Sequence, residues 1–366
     1  MRGITSSDES IGSDMTRGVS GTVPPTRRVR PILKLLGGLA LGGAAIALVV
    51  STAGGLSDSL SAVARMRPGF VALALAFAAL RLALFARQML LLGRRTGPLG
   101  AGTALGLALI VYGFGAITPA APAEGLAIAT HELRRRGRSK QHARMVCGFS
   151  EWFSQRTFYA IAAFDLIIVI AIGHLRLSEA WPLMIVAAVV IVALAGTAMM
   201  ARLPASAIWV ARVLGAIRVH RPQPPVDLRD RAASAWHAEA MAVVGPPRNR
   251  LRVAIVSAGA VLADAGTLWA TCHAAGFHMH PELILLAQTV GTVVSWVPLL
   301  PGGLGLVEAA VPTILHHFGA PLAGALAATL VYRAVGALLP ALVGGGAIVA
   351  LRSRRSGASG PPQATP

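Results

Sequence analysis

Charged side chains set inside long apolar runs are the residues of this sequence whose types suit chemistry. Glu308 follows Leu300-Pro301-Gly302-Gly303-Leu304-Gly305-Leu306-Val307, and Glu124 follows Thr118-Pro119-Ala120-Ala121-Pro122-Ala123. Arg81, Glu151, Arg156, Asp264 and Arg333 are dispersed over the other apolar segments. A charge at membrane depth faces a bundle interior or a wet cavity, where it pairs, relays a proton or meets a substrate. Guanidinium forks match phosphate oxygens, so Arg156, Arg333 and Arg81 suit a phosphate-bearing ligand. Glu124 and Glu308 would balance those arginines in an empty site, or bind a cationic headgroup or a coupling proton. Asp264, in Leu262-Ala263-Asp264-Ala265-Gly266, suits a proton carrier and an interhelix hydrogen-bond partner equally. Buried ion pairs that fix helix register are the competing use of all these residues. Glu151 and Arg156 stand five apart, poorly placed to pair on one helix face, so each is expected to seek a partner on another segment.

The elements that carry these residues are membrane spans. Hydrophobic residues make up 55% of the 366, charged residues 13%, and the mean hydropathy is +0.65. Apolar runs of about 20 residues recur, the length a helix needs to cross the hydrocarbon. Spans are expected at 32–53, 69–92, 146–173, 181–200, 253–276 and 322–351. Residues 1–31 and 352–366 read as disordered cytoplasmic tails flanking an integral membrane domain over 32–351. The loop 201–250 contains one amphipathic stretch, 227–244, whose Leu228, Ala232, Ala235, Ala238, Met241 and Ala242 fall at helix-like spacing for an interfacial helix.

Two further apolar runs do not fit simple crossings. The run from 99 to 130 lies between Arg94-Arg95 and the dense positive stretch Arg134-Arg135-Arg136-Gly137-Arg138-Ser139-Lys140, both of which belong on the cytoplasmic side. It reads as a re-entrant hairpin with Pro119 and Pro122 near its tip. The run from 283 to 318 contains Pro298, Pro301, Gly302, Gly303 and Gly305, which will not hold a continuous helix. Broken backbone at this depth is tolerated where protein buries it or it lines a wet cavity. This run begins and ends on the outer side, as two short crossings or a second hairpin. The fold class is thus an all-α polytopic membrane protein of about six full spans plus two Pro/Gly-broken re-entrant hairpins, or about eight to nine crossings. Halves 32–173 and 179–351 then share one plan in opposite orientation. Such an inverted repeat places a transport site at its interrupted segments.

The run Pro301-Gly302-Gly303-Leu304-Gly305-Leu306-Val307-Glu308 resembles the signature of the lysylphosphatidylglycerol synthase/flippase transmembrane domain family. Pro122-Ala123-Glu124-Gly125, Leu133-Arg134-Arg135-Arg136-Gly137 and Glu151…Arg156 are similar to that family's earlier block, although Glu124 precedes its glycine and Glu151 and Arg156 are not adjacent. Tyr332-Arg333 matches the arginine of its last long span. The resemblance spans roughly 32–351 and implies movement of phospholipids or lipid-linked precursors between leaflets of a bacterial inner membrane, with both termini cytoplasmic. Synthase members carry a large cytosolic transferase domain after the membrane domain. Here 15 residues follow Leu351, so no enzymatic activity is expected of this polypeptide.

Other classes fit less well. A net charge of +18 arises from basic residues at helix ends and short loops, where they set topology and meet anionic headgroups, so no nucleic-acid partner is expected. Cys147 and Cys272 fall in apolar segments as packing residues. His278, His280, His316 and His317 read as solvated loop residues with no acid or cysteine cluster to complete a metal site, and no cofactor is expected. The competing functions are a membrane-embedded lipid-phosphate enzyme and an accessory scaffold in envelope-lipid synthesis. A homo-oligomer or a partner from envelope synthesis is compatible with either the transporter or the scaffold.

Overall fold

The computed structural model describes residues 61–94, 97, 99–117, 121–175, 188, 226–295, 303–340, 342 and 343. The expected spans at 32–53 and 181–200, both tails, Pro301 and Gly302 lie outside the described residues. All the regular structure described is helical, and three helices are long and apolar enough to cross a membrane: α1 (Pro68–Gly93), α4 (Lys140–Ala171) and α6 (Pro247–Ala274). At 1.5 Å per residue they measure roughly 39, 48 and 42 Å, beyond the roughly 30 Å of hydrocarbon. Between and after them come α2 (Ala101–Ile117), α3 (Ala121–Arg135), α5 (Val226–Val244), α7 (Pro281–Ser295), α8 (Leu306–His317) and α9 (Leu322–Arg333). A π-turn, Ala334–Leu338, continues α9.

Local chemistry sets the ends of the long helices. Proline at the first turn starts α1 and α6, where its missing N–H costs no hydrogen bond. The Ser139 side chain caps α4 by accepting from the His142 amide at 3.1 Å. Helices α4 and α6 begin earlier than expected, at Lys140 and Pro247, because their polar first turns have no apolar period to betray them. The positive stretch 134–140 begins in the last turn of α3 with Arg134 and Arg135, turns at Gly137 and ends at the first residue of α4.

Helices α1 and α6 form the most extensive helix pair and run antiparallel, since the Arg67 amide donates to the Ala274 carbonyl at 3.0 Å. Small residues allow the approach: a Cβ on Gly266 would stand about 3.0 Å from Phe77, and one on Gly259 3.2 Å from Leu84. Helix α2 packs on α3, and α7 on α8. Helix α4 touches α6 and α7, while the π-turn touches α1 and α2. Phe164 and Ile167 on α4, with Leu251, Ile255 and Leu262 on α6, remain exposed, as lipid-facing side chains do.

Two apolar clusters cap the two ends of this assembly. One joins Phe85, Met89 and Leu92 of α1 to Leu107, Leu133, Val146 and Val243. The other joins Leu268 and Cys272 of α6 to Ile284, Val311 and Leu315. Helix α5 forms as expected, but its buried face is Ala233, Ala240, Val243 and Val244, while Ala232, Ala235 and Ala238 are exposed. Alanine is nearly indifferent to burial, so the valines and not the alanine spacing decide which side of α5 turns inward. The last span is not one regular helix either, because the π-turn shifts its hydrogen-bond ladder by one residue.

Candidate functional site

Arg81 lies near the middle of α1 and Asp264 near the middle of α6, so the antiparallel packing brings them face to face. Nη1 of Arg81 meets Oδ1 of Asp264 at 2.5 Å, with both side chains nearly buried. Nη2 donates to the Gly336 carbonyl of the π-turn, and the guanidinium sits 4.6 Å above the Tyr112 ring of α2. The other oxygen of Asp264 accepts from Gln288 Nε2 of α7 and from the Tyr332 hydroxyl of α9, each at 3.0 Å. One ion pair therefore joins α1, α2, α6, α7, α9 and the π-turn. Nε of Arg81 and Oε1 of Gln288 are buried without a hydrogen-bond partner among the described residues.

A polar tie runs beside this centre. Gln88 of α1, fully buried, donates to the Ser150 carbonyl of α4 and to Ser154 Oγ at 3.2 Å, and accepts from Ser257 Oγ of α6 at 3.0 Å. A neutral amide with both ends bonded costs little to bury, whereas an unpaired one would cost roughly 1–3 kcal/mol.

Glu308 ties down the second broken segment. Gly303 and Gly305 turn the chain into α8 with φ of 68° and 86°, which glycine adopts without steric cost. Glu308, in the first turn of α8, returns Oε2 to the Gly305 amide at 2.7 Å, the carboxylate half of a capping box. Its Oε1 accepts from Nε of Arg333 on α9 at 3.1 Å. The carboxylate is 5% exposed and the guanidinium 15%, so this pair too is largely removed from solvent.

Between the two ion pairs lies a cavity of about 230 Å³. Arg81, Asp264, Arg333 and Glu151 line it with Tyr112, Gln155, Gln288 and Tyr332, while Ser154, Ser257, Thr292 and Ser295 add hydroxyls. Of the residues expected to form a substrate path, Arg81, Asp264, Arg333 and Glu151 thus converge on one space. Glu308 reaches it through Arg333. Glu151 departs from expectation, because one turn of α4 brings Gln155 into reach and Glu151 accepts from it at 2.6 Å, while Arg156 lies 5.0 Å over the Trp152 ring. Arg156 is not among the residues lining the cavity. Glu124 falls in the first turn of α3, but its side chain, like Pro301 and Gly302, lies outside the described residues.

The uncharged members were missed. Tyr112, Gln288, Gln88 and Thr292 carry no formal charge, so charge inside apolar runs does not point to them. A lone glutamine in an apolar helix is itself a signal, because lipid offers its amide no partner. His280, with 71% of its side chain exposed, is the solvated residue expected, and His174 and Glu282 stand beside it with all three ligand atoms within 4.8 Å of one another.

The lysylphosphatidylglycerol synthase TM region model matches residues 35–344, which includes every described part of this site. The chain belongs to that family. No curated protein matches it. Membership in the lysylphosphatidylglycerol synthase TM region family makes it a membrane protein of lipid-related processes. Within this family member, the broken segment with Glu308 and the last-span Arg333 are in direct contact, as the two pieces that carried the resemblance.

Proposed function

We propose that this protein moves a phospholipid or a lipid-linked headgroup between the leaflets of a bacterial inner membrane. The observation that carries the reading is the cavity itself, a space with two arginines and two carboxylates on its wall, set among helices whose outer faces are apolar. A headgroup crossing hydrocarbon needs partners that replace its lost water. Arg81 and Arg333 supply guanidinium donors for a phosphate.

An inverted repeat supports the same reading. The helices α7 and α8, of 15 and 12 residues, reach roughly 22 and 18 Å and are each too short to cross, so a packed pair of them suits a re-entrant hairpin. If α1 corresponds to α6, the α2–α3 pair to α7–α8, and α4 to α9, the observed contacts fall into matched sets. Helix α1 meets α2 and α4 as α6 meets α7 and α9; α4 meets α6 and α7 as the π-turn after α9 meets α1 and α2. The α1–α6 pair maps onto itself, and the ion pair Arg81–Asp264 sits on it. With Arg134–Arg138 cytoplasmic, both termini lie in the cytoplasm.

Transport is favoured over an embedded enzyme because the described cavity wall contains no histidine or cysteine, and its carboxylates are engaged by side-chain donors. The test is leaflet exchange of headgroup-labelled phospholipids and polyprenyl phosphates in liposomes holding the purified protein. Wild type should exchange at least one of them, and Glu308→Gln should not, while remaining folded. Equal exchange by both would remove Glu308 from the mechanism. No exchange of any lipid, with or without a proton gradient, would favour the scaffold.

A further inference from the structure

The cluster at the opposite end of α4 from the arginine-rich turn belongs to neither the cavity nor the broken segments. Helix α4 ends at Ala171 with Ile172 as its cap, and Gly173, at φ 88°, reverses the chain so that the His174 amide closes back on the Val169 carbonyl at 3.0 Å. His280 accepts the first amides of α7 with its carbonyl, from Leu283 at 3.0 Å and Ile284 at 3.2 Å, and so stands at the helix start. Glu282 lies in the first turn. Three side chains from two helix ends are thereby held on backbone that hydrogen bonds fix. Beneath them Val169, Leu283 and Leu286 form an apolar platform with Leu175 and Met279 packed against it.

We propose that His174, His280 and Glu282 bind a divalent transition-metal ion of the zinc type. Two ligands at 2.0–2.1 Å from a tetrahedral ion stand about 3.3 Å apart. Glu282 Oε1 lies 3.2 Å from Nε2 of His174 and 3.8 Å from Nδ1 of His280. Both imidazoles thus converge on one carboxylate oxygen, and the three ligand atoms fit within 4.8 Å. A plain ion pair explains this poorly. Nε2 of His174 is buried and makes no hydrogen bond, although the carboxylate oxygen is within reach, so the two approach outside hydrogen-bonding geometry. Two imidazoles and one carboxylate form a ligand set that zinc accepts with a fourth position left for water, whereas calcium and magnesium prefer all-oxygen sites. His280, with 71% of its side chain exposed, leaves the site open to solvent. A bound ion would clamp the end of α4 to the start of α7. Both helices line the cavity, through Glu151 and Gln155 on one and Gln288 and Thr292 on the other, so occupancy stiffens one seam of the cavity.

The test is a zinc titration of the full chain in detergent after chelator treatment, read by competition with a fluorescent zinc chelator. Wild type should take up one equivalent, and thermal unfolding should move to higher temperature when it does. His280→Ala, His174→Ala and Glu282→Gln should each weaken binding by at least about tenfold, while His278→Ala, outside the cluster, should not. His280 is exposed, so its variant tests the site without disturbing the fold. No stoichiometric zinc on wild type, or unchanged affinity in His280→Ala, would overturn the proposal.

Discussion

Removing the carboxylate of Asp264 should be among the most damaging single substitutions in the membrane domain. Asp264→Ala deletes the partner of Arg81 and strands two further donors, Gln288 Nε2 and the Tyr332 hydroxyl. Breaking a buried pair from one side costs about 3–5 kcal/mol, because the surviving charge stays desolvated. An exposed pair of the same geometry would cost about 1 kcal/mol or less. With side chains 11% and 12% exposed, the Arg81–Asp264 pair belongs to the first class. The expected loss is therefore 3 kcal/mol or more, read from a denaturant titration of the purified protein in mixed micelles. Arg81→Met should cost a similar amount, leaving Asp264 buried and Gly336 without its donor. The double variant Arg81→Met/Asp264→Leu removes both charges together, and apolar replacement of a whole buried pair is often neutral. It should be more stable than Asp264→Ala and fall short of the sum of the singles by up to about 3 kcal/mol. Lipid exchange should be lost in all three. A loss below about 1 kcal/mol in Asp264→Ala, or strict additivity in the double, would mean that the pair is solvated and that the helices meet around it for other reasons.

Three more substitutions probe the elements that position the cavity. Gln88→Leu should destabilise by about 1 kcal/mol through loss of the hydrogen bonds that tie α1 to Ser150, Ser154 and Ser257, whereas Gln88→Glu should cost more, since it buries a charge with no cation beside it. Gly125→Val should open the α2–α3 pair, because even a Cβ there would stand 2.8 Å from the Val111 carbonyl oxygen, and cysteine cross-linking between the two helices would report it. Gly303→Ala meets both a positive φ and a Cβ position 2.6 Å from the Ser295 Cα, so it should lower the unfolding temperature and expose the broken segment to protease.

The chain's plan was legible because lipid forces simple rules on a sequence. Residues 69–92 were expected to form a span, and α1 is Pro68–Gly93. A break around Gly303 and Gly305 was expected from glycine, and α8 starts directly after them at Leu306, while Pro119 lies outside the described residues. The early starts of α4 and α6 were not visible, since the Ser139 side-chain cap and the proline at the first turn of α6 are local signals that hydropathy does not register. Single residues were placed on the right segments, but partners were harder to assign. Glu308 pairs with Arg333 across 25 residues, and Arg81 with Asp264 across 183. No periodicity links such positions; only the packing of α1 on α6, and of α8 on α9, creates the pairs. The π-turn was invisible for the same reason, because Ala334-Val335-Gly336-Ala337-Leu338 carries no residue that demands a wider turn.

The pairing also limits how a phosphate can enter. Arg81 and Arg333 are already matched by Asp264 and Glu308, so on the proposed function a headgroup takes the full charge of an arginine by displacing a carboxylate. Displacement at Arg81 would part the ion pair on which six elements meet, which the energetics above oppose. Displacement at Arg333 frees only one oxygen of Glu308, since the other stays on the Gly305 amide. Arg333 is therefore the arginine that yields first, and the contact between α8 and α9 is the part that moves. This predicts a local response to ligand. A short-chain, micelle-soluble phosphatidylglycerol should speed hydrogen exchange at the first amides of α8, while the α1–α6 pair stays protected. Glu308→Gln keeps an acceptor for one of its two donors but loses the charge, so exchange there should be fast already and change little on adding lipid. If lipid instead slows exchange across 303–310, the headgroup adds to the Glu308–Arg333 pair without parting it, and the displacement argument fails.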